Sequence, residues 1–160
     1  MKFNTELLKE YRNILQTTNL QLCYQEFIRL FRYIRTGLEA SMPEYKFQAK
    51  IVENSMDYSY FSFTNSELKK KGLKVVVVFI HQYFHFEIWI SGYNRNIQTK
   101  YYEKLKDESF PIQLTEDPIH NDYIISAVIE ETDKLSDADW IISRMREVTE
   151  ELLQVIYMVH

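Results

Sequence analysis

The stretch Leu73–Gln98, LKVVVVFIHQYFHFEIWISGYNRNIQ, decides the fold of this chain. Two runs within it, residues 73–81 and 84–91, are rich in the β-branched and aromatic side chains that are typical of strands. Only Gln82 and Tyr83 separate the two runs, so they predict an antiparallel hairpin with a two-residue connection. The hairpin then leads through a Gly-Tyr-Asn turn into a predicted helix.

Alternation of side chains along this hairpin predicts which residues share a face of the sheet. One face is apolar except for His81 at its end. The other face brings His85, Glu87 and Trp89 together, with aliphatic neighbours on the preceding strand. A carboxyl group in apolar surroundings tends to have a raised pKa, so Glu87 could act as a base or ligand anchor, with His85 as proton carrier and Trp89 as a stacking wall. The structural alternative is a face partly covered by a helix, where Glu87 pairs with an arginine and Trp89 packs.

Hydrophobic periodicity outside the hairpin predicts the rest of the fold. The predicted elements are, in chain order, helices over 3–17 and 20–41, strands over 45–51 and 56–63, the hairpin, a helix capped by Asn94, a strand over 123–130, and a helix that starts at a capping-box pattern of Ser136 and Asp139. Polar residues 66–71 are expected to form a short connection, and residues 107–122 a long one. The order α-α-β-β-β-β-α-β-α predicts a single α+β domain over residues 1–160, with a mainly antiparallel sheet of four to five strands packed with helices.

Composition narrows the classes of function. The chain has 160 residues, 46% of them hydrophobic, with 12 Tyr and 10 Phe against 3 Gly and 3 Pro, which argues against disorder and against a β-sandwich with many turns. A net charge of -4 disfavours nucleic acid as a partner. A single cysteine, Cys23, excludes an internal disulfide, and no apolar run is long enough to span a membrane, so we expect a cytoplasmic protein.

Three arginines, Arg29, Arg32 and Arg35, stand three residues apart on the second predicted helix. Guanidinium groups bind phosphates and carboxylates in bidentate fashion, so these residues could hold a small anionic ligand or contact Glu87. The alternative is that they extend over the aromatic side chains between them, since no Gly-rich phosphate loop accompanies them.

The start of the helix after the hairpin offers three polar side chains, Asn94, Arg95 and Gln98. Helix N-termini attract anions through their free N–H groups, and Arg95 stands where the helix dipole favours an acidic residue. These side chains could therefore bind an anionic ligand. Helix capping by Asn94 and a tight turn at Gly92 explain the same residues without a ligand.

Known catalytic and metal-binding motifs are absent from the sequence. His81 and His85 are four residues apart, but a strand-turn-strand conformation would rule out a helical metal clip. The sequence therefore predicts no metal and no cofactor.

The segment VVVVFIHQYFHFEIWISGYNRNIQTKYYEKLK, with the preceding MDYSYFSFTNSELKKKGLK, resembles an uncharacterised family of small soluble bacterial proteins. The resemblance extends from the second predicted helix to the last. It implies a bacterial, stand-alone cytoplasmic domain. It brings no activity, cofactor or catalytic residue to this chain.

Two classes of function stay open. The first is a non-enzymatic ligand-binding or protein-interaction domain that uses the sheet face around Glu87 and Trp89. A homodimer is compatible with this interpretation, because aromatic residues are enriched at buried seams between subunits. The aromatic residues considered for such a surface are Tyr58, Tyr60, Tyr101 and Tyr102.

The second class is a metal-dependent hydrolase or nuclease, because the order of elements loosely resembles the restriction-endonuclease-like core. The site of that family needs an acidic residue on one strand and Glu-x-Lys on the next, where carboxylates hold a divalent metal. The matching stretch here is Glu87-Ile88-Trp89, which lacks the lysine, with Asp57 as the candidate metal partner.

Overall fold

The structure, a computed structural model, describes residues 1–108, 112–130 and 132–159. The helices span Thr5–Thr17 (α1), Leu20–Ser41 (α2), Ser66–Lys71 (α3), Arg95–Leu105 (α4) and Ala138–Tyr157 (α5). The strands span Lys46–Phe47 (β1), Tyr58–Thr64 (β2), Leu73–Ile80 (β3), His85–Gly92 (β4), Gln113–Leu114 (β5) and Ile125–Ile129 (β6). Short 3-10 helices cover Asn54–Met56 and Thr132–Lys134. Contacts divide the chain into two compact units, Met1–Tyr33 and Ile34–His160.

The first unit contains α1 and the N-terminal part of α2. Asn4 caps α1, because its Oδ1 atom accepts a hydrogen bond from the backbone N–H of Leu7 at 3.1 Å. Within α2, the ring of Phe27 stacks on that of Phe31 with centroids 5.6 Å apart. Both helices predicted from the 3.6-residue period are confirmed.

The second unit is built on one antiparallel sheet with strand order β1-β2-β3-β4-β6-β5. The predicted α+β class and antiparallel pairing are therefore confirmed. The sheet has six strands instead of four to five, because Gln113–Leu114, inside the predicted long connection, pairs with β6. The predicted strand over 45–51 is shortened, since only Lys46 and Phe47 pair with β2 as a strand.

The hairpin of β3 and β4 has the predicted register along both strands, with Val78 opposite Glu87. Its connection differs from the prediction, because residues 81–84 all belong to the turn. The backbone N–H of Phe84 donates to the carbonyl of Ile80 at 2.8 Å, and Phe84 has a left-handed φ of 52°. The predicted pairing of residues 81 and 84 is therefore wrong, since this conformation completes the turn before β4 begins.

The predicted connection over residues 66–71 is the short helix α3. Asn65 caps it by accepting from the N–H of Leu68 at 2.8 Å, and Leu68 is fully buried. Gly72 ends it in the left-handed region, with a φ of 74°, where a side chain would be strained. A six-residue helix with one buried side chain has too few apolar positions for a period to show in the sequence.

Helix α5 packs on β4 and β6. Its cap is Asp137, whose carboxylate accepts from the N–H of Trp140 at 3.1 Å, so the predicted capping box of Ser136 and Asp139 is wrong by one residue. The sequence predicts an apolar stripe on this helix that ends at Val159. Val159 lies beyond the end of α5 and is half-buried, whereas the other members of the stripe are buried: Ile141, Met145, Val148, Leu152 and Val155. None of the helices in the described part of the chain combines the length and low polarity that a membrane crossing needs.

His81 at the end of the hairpin leads to a prediction about acid stability. Its ring Nε2 lies 2.9 Å from Ser59 Oγ, and burial lowers the pKa of the imidazole, although nearby Asp57 acts in the opposite direction. The unfolded chain therefore takes up this proton at a higher pH than the folded chain. Above the pKa of the unfolded chain, about 6.5, the imidazole is neutral in both states and does not change the free energy of unfolding with pH. As the pH falls below that value, the unfolded chain binds the proton more readily, and the free energy of unfolding decreases.

We expect His81→Gln, which keeps a side-chain donor near Ser59, to lose less stability than the wild type between pH 7.5 and pH 5.5. Urea denaturation at several pH values measures this difference. Equal losses in the two proteins would contradict the assignment to His81.

Candidate ligand-binding groove

The structure brings His85, Glu87 and Trp89 together by direct hydrogen bonds. The Nε2 atom of His85 lies 2.7 Å from Oε2 of Glu87, and the indole N–H of Trp89 donates to Oε1 of Glu87 at 2.9 Å. Both carboxylate oxygens of Glu87 are thus engaged within the protein, and the side chain is only 13% exposed. An imidazole and an indole take the place of the arginine that the structural alternative assigned to Glu87. The Glu87 carboxylate therefore fixes the orientation of the Trp89 ring.

Aromatic rings cover the sheet around Trp89. The rings of Tyr58 and Tyr60 stack with centroids 5.9 Å apart, and Trp89 lies 6.1 Å from Tyr58 and 5.2 Å from Tyr123. They pack against buried Val76. Burial raises the pKa of the Tyr58 and Tyr123 hydroxyls, so both stay protonated at neutral pH.

An open groove with a volume of about 430 Å³ lies beside these rings. Its apolar part is formed by Tyr58, Tyr60, Val76 and Trp89 of β2, β3 and β4. Its polar part is formed by residues of β3, the end of β4, the β4–α4 turn, α4 and the segment before β6: Lys74, Ser91, Gly92, Tyr93, Asn94, Arg95, Gln98 and Asp122. Glu87 and His85 do not line this groove. Glu87 is connected to it by the hydrogen bond that it accepts from the Trp89 indole.

The two cations of the groove differ in their partners. Arg95 donates to Asp122 Oδ1 at 2.9 Å and to the carbonyl of Asn121. The other carboxylate oxygen of Asp122 accepts from the Tyr58 hydroxyl at 3.4 Å. Within the described residues, the ammonium group of Lys74 has no carboxylate within ion-pair distance. The groove therefore carries one uncompensated positive charge, at Lys74.

Asn94 and Gln98, which are also predicted at the start of α4, form hydrogen bonds with backbone groups. The Asn94 side chain caps α4 by accepting from the N–H of Ile97 at 2.9 Å. Gln98 is 2% exposed, and its amide nitrogen donates to the carbonyls of Pro118 at 3.0 Å and Asn121 at 2.8 Å. Together with Arg95, Gln98 ties the segment before β6 to α4.

The three arginines of α2 are divided between the two compact units, with Arg29 and Arg32 in the first and Arg35 in the second. Arg29 forms an exposed ion pair with Glu26, and Arg32 is exposed. Arg35 donates to the backbone carbonyl of Gln48 at 2.9 Å and to Glu39 at 3.1 Å. The predicted contact with Glu87 is not made by Arg35, since Glu87 bonds to His85 and Trp89.

Comparison with known protein families identifies a match to a domain of unknown function, DUF7000, over residues 4–159. The chain belongs to the DUF7000 family. This agrees with the resemblance to an uncharacterised family that the sequence shows. No curated protein and no solved structure matches the chain.

The hydrolase hypothesis for this DUF7000 domain requires a set of metal-binding side chains. Across residues 1–108, 112–130 and 132–159, no three His, Cys, Asp or Glu side chains are placed to hold a metal ion together. Asp57 precedes β2, and β3 separates β2 from the β4 strand that carries Glu87. The two carboxylates therefore do not stand on neighbouring strands, as that type of site requires. Metal-dependent hydrolysis stays an untested alternative.

The DUF7000 domain also contains a serine–histidine contact that the sequence does not reveal. Ser59 Oγ lies 2.9 Å from His81 Nε2 and donates to the carbonyl of Glu53 at 3.2 Å. Ser59 is fully buried, so a substrate has no access to its hydroxyl. We interpret the pair as a structural link between the hairpin turn and the start of β2.

Lys74, Tyr93 and Asp122 are among the groove residues that sequence reasoning missed. Strand alternation puts Lys74 on the same face as Glu87, so a lysine on an otherwise apolar strand was the available signal. Asp122 lies in the predicted long connection, where no local pattern indicates which strand it will approach.

Proposed function

We propose that this DUF7000 domain is a non-enzymatic binding protein for a small ligand with a flat ring and one acidic group. The observation that carries the proposal is the combination, in one groove, of an aromatic wall with the uncompensated ammonium group of Lys74. Ligand sites in proteins are typically concave and mainly apolar, with a few polar groups that orient the ligand.

The shape and lining of the groove support a planar ligand. Its volume of about 430 Å³ is in the range of small-molecule sites. Tyr58 and Tyr60 offer adjacent half-buried rings on which a planar group can stack. Because the carboxylate of Glu87 anchors the Trp89 indole, this wall is already ordered without a ligand.

The charges of the groove support an anionic group on that ligand. Asp122 already neutralises Arg95, so Lys74 is the cation that would meet a carboxylate or phosphate. A charge-assisted hydrogen bond of this kind contributes about 1.5 to 3 kcal/mol. Asp122 in turn disfavours a second negative charge on the ligand beside it.

The fluorescence of Trp89 provides the test. The chain has two tryptophans, so Trp140→Phe leaves Trp89 as the only indole. In that background we expect at least one probe among benzoate, phenylacetate and nicotinate, each with one ring and one carboxylate, to change the emission in a saturable way. Lys74→Met should then raise the dissociation constant at least tenfold, because about 1.4 kcal/mol of binding free energy corresponds to that factor.

Lys50→Met is the matched control, because Lys50 is exposed and lies outside the groove. It should bind the probe as the parent protein does. Equal weakening by both substitutions, or no response to any probe at millimolar concentration, would contradict the proposal and favour a protein-interaction domain instead. Light scattering on the same samples would then show whether the partner is a second copy of the chain.

A further inference from the structure

Five of the nine residues that line a second concave surface of the domain are lysines. This surface has a volume of about 470 Å³ and lies where the end of α3 meets α4. Five lysines from the two helices surround it, which we call the lysine pocket: Lys69, Lys70, Lys71, Lys100 and Lys104. None of them belongs to the groove beside Trp89.

These lysines are distinguished by their closeness to one another, whereas their lack of a carboxylate partner in the described part of the chain is shared with Lys74. Many basic side chains have a carboxylate partner: Lys9, Arg29, Arg35, Arg95, Lys106 and Arg144. Within the described residues, no lysine of the pocket has such a partner. The whole chain has a net charge of -4, yet this surface concentrates positive charge without compensation.

Local interactions explain the placement of these lysines without neutralising them. Lys69, Lys70 and Lys71 occupy the last turn of α3, where the helix dipole favours cations. The ammonium groups of Lys100 and Lys104 lie 5.9 and 5.3 Å from the centroid of the Tyr101 ring. Like charges four residues apart on a helix repel each other, so an anion bound between the two helices would relieve this repulsion.

We propose that the lysine pocket binds a ligand that carries two or more phosphate groups. Lysine ammonium groups bind phosphate as point charges, and five of them exceed what a single phosphate can neutralise. The concave shape suits a compact ligand. A nucleic-acid backbone is disfavoured, because it would also experience repulsion from the net negative charge of the chain. The phosphates can belong to a soluble compound or to a lipid headgroup.

Isothermal titration with inorganic triphosphate at 50 mM salt tests the pocket. The test variant is Lys70→Gln/Lys100→Gln/Lys104→Gln, and the control is Lys46→Gln/Lys50→Gln/Lys134→Gln, which removes the same charge elsewhere. We expect saturable binding that is at least tenfold weaker in the test variant and within twofold of wild type in the control. Thermal unfolding of both variants establishes that they fold, since the changed side chains are exposed or half-buried.

Two results would overturn the proposal: no saturable binding of triphosphate by the wild type, or equal weakening in the two triple variants. A single-stranded RNA that binds the pocket and is not displaced by triphosphate would overturn it as well. Sedimentation with phosphatidylcholine vesicles, with and without a polyphosphorylated phosphoinositide, distinguishes the two sources of phosphate. Pocket-dependent binding to the phosphorylated vesicles supports a lipid headgroup. Pocket-dependent binding of triphosphate alone supports a soluble compound.

Discussion

Glu87→Ala is expected to lower the free energy of unfolding by about 3 kcal/mol. The substitution removes the acceptor of the Trp89 indole N–H and the partner of the His85 ring. Trp89 is 8% exposed, so water cannot readily replace the lost acceptor. Urea denaturation in the Trp140→Phe background measures the loss, and the emission of Trp89 reports the change in its surroundings in the same experiment.

Glu87→Gln separates the charge of this side chain from its hydrogen bonds. The amide oxygen can still accept from Trp89, so we expect a loss of only about 1 kcal/mol. Glu116→Ala, an exposed glutamate, serves as the control and should change stability by less than about 0.5 kcal/mol. If Glu87→Ala is as stable as the control, the carboxylate does not hold Trp89. That result would contradict the inference that Glu87 orders the aromatic wall of the groove before a ligand binds.

Gln98→Leu is expected to cost about 2 to 3 kcal/mol and to loosen the segment before β6. The leucine keeps a similar volume but cannot donate to the carbonyls of Pro118 and Asn121. Asn121 retains its bond from Arg95, whereas Pro118 loses the donor that Gln98 provides. Because Asp122 follows directly, we also expect weaker probe binding in the groove.

Hydrogen exchange is the measurement that resolves this effect. The amide of Thr115 donates to Ile124 and that of Asn121 to Asp117, and both should exchange faster in Gln98→Leu. Gln154→Leu, at an exposed position of α5, is the matched control and should leave these rates unchanged. Unchanged exchange in Gln98→Leu would show that the segment holds its conformation without this amide.

The two proposed sites fail independently. We expect probe binding in the groove to depend on Lys74 and Trp89, and triphosphate binding to depend on Lys70, Lys100 and Lys104. Loss of one with retention of the other identifies which proposal is wrong.

The parts of the fold that were predictable follow from local patterns. A run of β-branched and aromatic residues with a short connection specifies the hairpin, and its period of two sets both faces, so Glu87 lies opposite Val78 as predicted. The apolar stripe of α5 is visible in the sequence because burial recurs every three or four residues. Errors occur where few residues carry the signal, as in the six-residue α3 and the two-residue β5.

The sequence by itself determined the class of the fold, the register of the central hairpin and the cluster of His85, Glu87 and Trp89, because these depend on neighbours within a few residues along the chain. Only the tertiary structure decided what surrounds the cluster. It placed Asp122 beside Arg95 and Tyr58, and it brought the lysines of α3 and α4 around one pocket. Such contacts join residues far apart in sequence, and their geometry depends on how the elements pack, which no local period encodes.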